Sequence, residues 1–189
     1  MAEAEIAQSV RIEFDLGLHG WATIQILAGP LSYEAGTFSY LTDALGDLVR
    51  AALAITTGAY RARFSLSGEP MEWRWLIERR NNDPDKLELR ILSFADAFAD
   101  EPDDRGRHEF SASCGADEFA RAVSGAAEAV LGLHGLEGYH ERWMEYPFPL
   151  RALRALQTAL ATKEAELPRS PLVFATATVL GGDGPANDR

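Results

Sequence analysis

Basic residues are scarce in this chain. Its 189 residues hold 18 Lys and Arg against 29 Asp and Glu, a formal charge of −11. Such a surface repels nucleic acid and anionic lipid unless a local basic patch intervenes. The arginines are scattered and mostly accompanied by acids, so neither nucleic acid nor a membrane is expected as a partner. Cysteine is rarer still. Cys114 stands alone, which excludes an intrachain disulfide and a cysteine-rich zinc site and fits a reducing cytoplasm. Long apolar runs are missing: none approaches the roughly 20 residues that span a bilayer. The opening MAEAEIAQS has no basic region followed by an apolar one, so no signal peptide is expected. The G-x-S-x-G turn, the P-loop and the dinucleotide fingerprint do not occur either. Gly181-Gly182-Asp183-Gly184 has no helix after it to complete a phosphate loop.

What remains is the make-up of an ordinary globular protein, 47% hydrophobic and 25% charged. A chain of this length buries about two-thirds of its unfolded surface and needs no disulfide or metal staple. The chain is organised around residues 38–58, FSYLTDALGDLVRAALAITTG. There Leu45, Leu48, Val49, Ala52 and Leu53 fall on one helical stripe. Thr42 or Asp43 can cap its start, and Gly58 can end it in a left-handed conformation.

Strand patterns flank this helix. Val10, Ile12 and Phe14 alternate with Arg11, Glu13 and Asp15, and residues 21–27 supply a second strand after a glycine-rich turn. Residues 28–37, punctuated by Gly29, Pro30 and Gly36, read as a loop. After the helix come three alternating runs: Tyr60 to Leu66, Met71 to Ile77 and Leu87 to Ile91. The turns between them are short, which favours an antiparallel meander. One face carries Trp73, Trp75 and Ile77; the other carries Glu72, Arg74, Leu76 and Glu78. The second face reads as a solvated ladder of mixed charge. Residues 108–113 read as a further strand. A second helix is expected over 116–134, ending at Gly135, with an irregular helical turn over 136–146. A third helix follows Pro149 with Leu150, Leu153, Leu156 and Leu160 on its apolar face.

The fold class is therefore α+β: a mostly antiparallel sheet of five or six strands with about three helices on one face. Residues 9–167 form the single domain. Residues 1–8 are expected to fray, 168–180 to dock as a tail or short strand, and 181–189 to be disordered.

Sites are few. Glu137 and His140 make one E-x-x-H pair, half of what a paired-helix metal site uses. A surface pair is the simpler reading, and no metal or other cofactor is expected. Cys114 precedes a helix, where its pKa could fall, but no base is placed beside it, and a small buried residue is the simpler reading. No catalytic residue is named. The most polar stretch, residues 93–107, gathers Asp96, Asp100, Glu101, Asp103 and Asp104 before Arg105 and Arg107 appear. It lacks the ligand spacing of an EF-hand loop. As a docking surface for a basic protein it is the better candidate. Trp143 and Tyr146 lie in the proline-broken segment HERWMEYPFP, where they either fill a groove between helices or offer aromatic anchors to a partner.

Three stretches carry a resemblance: FSYLTDALGDLVRAA over 38–52, EWRWLIER over 72–79 and HERWMEYPFPLRALRAL over 140–156. Together they resemble a group of small bacterial proteins described only as hypothetical. In size and acidity the chain is also similar to immunity proteins that neutralise polymorphic toxins. The resemblance implies a non-enzymatic, cytoplasmic binding protein and assigns no functional residue. The alternative is a small-molecule-binding protein or enzyme with a pocket between sheet and helices. The oligomeric state is not legible.

Overall fold

Apolar and polar residues alternate along most of the stretches that become strands, of which the described residues hold seven. A computed structural model describes residues 9–166. The start, tail and end set apart above therefore lie outside the described residues. The first three strands, β1 (Val10–Leu16), β2 (Trp21–Ala28) and β3 (Leu31–Ser39), form one antiparallel sheet in the order β1-β2-β3. Helix α1 (Ala44–Thr56) follows. A second antiparallel sheet takes β4 (Arg61–Ser67), β5 (Glu72–Arg80), β6 (Asp83–Phe94) and β7 (Arg107–Gly115) in sequence order. Helices α2 (Ala116–Trp143) and α3 (Leu150–Glu166) complete the described chain.

The class is α+β, but the expected single sheet of five or six strands is two sheets of three and four. The cause is the segment read as a loop. Gly29 and Pro30 make a tight hairpin turn, and residues 31–39 run back along β2 as β3. Helix α1 then separates β3 from β4, so the two meanders stay distinct ladders.

One core joins them. Ile12, Phe14, Ile24 and Ile26 from the first sheet meet Leu45, Leu48, Val49 and Ile55 of α1, and Trp75, Ile77, Leu89 and Ile91 of the second. Burial of such side chains stabilises by about 1.5–3 kcal/mol each. Trp73 packs against two glycines. A Cβ on Gly36 of β3 would lie 2.7 Å from its ring, and one on Gly68, just past β4, would lie 2.2 Å away. Only glycine allows that approach.

Helix α1 begins after Asp43, whose carboxylate turns to Arg50 at 2.8 Å instead of capping the first turn. Helix α2 starts at Ala116, and the Gly115 N–H donates to the Glu118 carboxylate at 3.1 Å. The helix breaks at Gly135, where φ is 65°, and then continues to Trp143. The residues expected as an irregular turn are thus mostly helical. Helix α3 buries Leu153, Leu156 and Leu160 and lies on α1 and α2, not on a sheet. Among the described residues no helix is long and apolar enough to cross a membrane.

Candidate binding site

The outward face of the second sheet is covered at one end. Glu72 and Arg74, two residues apart on β5, point to the same side, away from Trp73 and Trp75. Ser67 and Ser65 stand opposite them on β4, and Phe94 and Leu92 on β6. The Glu72 and Arg74 side chains are 5% and 2% exposed. Buried charges persist only when paired and hydrogen-bonded, and this pair is saturated. The Arg74 Nε donates to Glu72 Oε1 at 2.8 Å, and Nη2 donates to Oε2 at 3.1 Å. Its Nη1 donates to the Asp103 carboxylate at 2.8 Å and to the Glu101 carbonyl at 2.6 Å. The guanidinium carbon lies 4.0 Å from the centre of the Phe94 ring. Burial opposes the Arg74 charge, but hydrogen bonds and charge from Glu72 and Asp103 outweigh it and raise its pKa.

The cover is the acidic loop that joins β6 to β7. Arg74 clasps it at Glu101 and Asp103, and the Ala97 N–H donates to the Pro70 carbonyl at 2.7 Å. Leu76, Leu92 and Phe94 form a small apolar cluster on this face. Gly106 ends the crossing against Phe94: a Cβ there would lie 2.6 Å from the ring.

Beside the buried pair is a cavity of about 240 Å³. Leu41 and Thr42 border it from the β3–α1 connection, Arg63, Ser65 and Ser67 from β4, and Phe98 and Asp100 from the loop. The Ser67 hydroxyl is buried without a hydrogen-bond partner among the described residues. Phe98, at the mouth, is 76% exposed.

The five loop acids play different parts. Asp96 accepts from the Phe98 N–H at 2.8 Å and shapes the turn that presents the ring. Asp103 is engaged internally, by Arg74 and by Arg63 at 3.5 Å. Glu101 contributes its carbonyl. The Asp100, Glu101 and Asp104 carboxylates have no ion pair among the described residues.

Of the two readings of Trp143, the partner anchor is corrected and the groove filler holds. The residue is fully buried, edge-on to Phe38 at 6.1 Å and to Phe14 at 6.3 Å between ring centres. Its ring fills the core and offers no face to a partner. Tyr146 is partly buried against the same core.

The remaining chemistry is sparse. Cys114 is buried, and burial, with the Glu118 and Glu88 charges, pushes its thiol up to about 12, away from a reactive thiolate. Glu137 and His140 are exposed, and no group of three His, Cys, Asp or Glu converges among the described residues.

Sequence reasoning missed Glu72, Arg74 and Ser67. One signal was available: Leu76, Leu92 and Phe94 fall on the supposedly solvated face, which argues for a cover. No family model, curated protein or solved structure matches this chain.

Proposed function

We propose that this is a non-enzymatic, acidic binding protein whose partner is a basic protein, captured by the loop over residues 95–104. Neutralisation of a bacterial toxin, as an immunity factor does, is the role that fits this reading. One observation carries it: Phe98 stands 76% exposed on a loop pinned by a buried arginine, beside three carboxylates that have no ion pair among the described residues. A pinned loop loses little further freedom on binding, so more of each contact appears as affinity. Exposed aromatics favour anchoring, and unpaired rim charges speed association with an oppositely charged surface.

The test is affinity capture from the native host, followed by association kinetics of the identified partner at low and high salt. The expected partner is basic. Asp100→Asn, Glu101→Gln and Asp104→Asn together should slow association and flatten its salt dependence while Asp103 keeps the loop clasped. Phe98→Ala should raise the dissociation rate. An acidic partner, or a basic one indifferent to all four changes, refutes the reading.

A further inference from the structure

The groups around the cavity on the second sheet divide into used and unused. Glu72 and Arg74 satisfy each other, and Arg63 is drawn to Asp103. Among the described residues two polar groups are without a partner: the buried Ser67 hydroxyl and the Asp100 carboxylate. Leu41 and Phe98 add apolar surface at the mouth, 44% and 76% exposed. Arg63, its side chain 52% exposed, is offset by Asp103 at 3.5 Å, Asp100 borders the cavity, and the same loop carries Asp96, Glu101 and Asp104. A cation is therefore favoured over an anion. The volume, about 240 Å³, is below the roughly 300–1,000 Å³ of pockets that hold drug-sized ligands. One side chain suits it better.

We infer that this cavity receives an arginine side chain of the basic partner, its guanidinium on the Asp100 carboxylate and the Ser67 hydroxyl, its plane against the Phe98 ring. The inference deepens the function proposed above and rests on it. Arginine fits better than lysine because its planar fork serves two acceptors and stacks on an aromatic face, while its stem lies along Leu41. The protein already makes this arrangement once internally, where Arg74 lies over Phe94 between Glu72 and Asp103.

The experiment titrates the full chain with acetyl-arginine amide and follows backbone amide signals by NMR. Acetyl-citrulline amide, of the same shape but uncharged, agmatine and sodium acetate are run alongside. Arginine amide should shift the Ser67, Phe98 and Asp100 signals, and citrulline amide and acetate should not. Asp100→Asn should weaken this binding about tenfold or more, the scale of one charge-assisted hydrogen bond. Ser67→Ala should weaken it severalfold, with unchanged spectra elsewhere serving as the check on folding. Equal response to citrulline, a response to acetate instead, or indifference to Asp100→Asn overturns the inference. Micromolar affinity for agmatine, with none for the amide, overturns it in favour of a free small molecule. With the partner itself, Asp100→Asn plus Ser67→Ala is compared with Glu101→Gln plus Asp104→Asn. If only the second pair weakens the complex, the cavity is not used and the loop reading stands. If arginine amide binds but the partner is acidic, the cavity stands as an arginine site and the loop reading falls.

Discussion

Two pairs of arginine and glutamate, each two residues apart on a strand, meet opposite fates in this protein. On β1, Arg11 and Glu13 pair at 2.7 Å with side chains 75% and 47% exposed. On β5, Glu72 and Arg74 pair at 2.8 Å with almost no exposure. The spacing puts both pairs on the outward face of their sheets. What differs is the neighbourhood. Among the described residues nothing is laid across the outward face of Val10 to Leu16, where Arg11 and Glu13 stay exposed, and the exposed pair adds at most a few tenths of a kcal/mol. Over β5 the acidic loop closes, and the same chemistry becomes the clasp that holds the loop. A charge pair owes its structural role to what covers it.

The comparison can be broken most strongly at Arg74. Arg74→Ala leaves Glu72 buried without its cation, at a cost of about 3–5 kcal/mol. Denaturant melts should show this, and replacing both, Glu72→Leu with Arg74→Met, should recover most of it. A loss below about 0.5 kcal/mol for Arg74→Ala would mean that the cover opens freely. The next effect is at the end of the loop. Gly106→Ala brings a Cβ to within 2.6 Å of the Phe94 ring and should cost about 1–3 kcal/mol, the scale of overpacking.

The inner face of the same sheet supplies a pH-dependent check. Cys114 stays a thiol in the fold up to about 12, while in the unfolded chain it ionises near about 8.5. Above that value the unfolded state binds fewer protons than the folded state, so stability falls as pH rises through this window. Wild type should lose about 1 kcal/mol more than Cys114→Ala between pH values of about 8 and 9.5. Equal slopes in melts of the two proteins would place the thiol in contact with water. The smallest effect is expected at β1, where Arg11→Ala should shift stability by less than about 0.5 kcal/mol.

Periodic stretches were legible because one period dominates each. Of the α1 stripe, Leu45, Leu48, Val49 and Ala52 are buried as read and Leu53 is partly buried, and Trp75 and Ile77 face the core as their alternation with charged residues requires. Strand β3 was hidden because Gly29, Pro30 and Gly36 punctuate it, although Gly36 is there to admit the Trp73 ring. The candidate site was half legible. Its loop shows in the run of acids, but its clasp does not, since alternation tells which residues share a face and not what lies over that face. Trp143 illustrates the converse: its proline-rich surroundings left groove filling and a partner surface both open, and the last turns of α2 beyond Gly135 put the ring in the core.

The clasp has a consequence in time. The stretch from Asp96 to Asp104 is the kind of polar connection at which proteases first nick a chain and amides exchange fastest. Here it cannot lift away without unpairing Arg74 from Asp103 and Glu101, so its openings are tied to disturbance of β5 itself. The expected signature is slower amide exchange and slower nicking of this loop than its polar composition suggests.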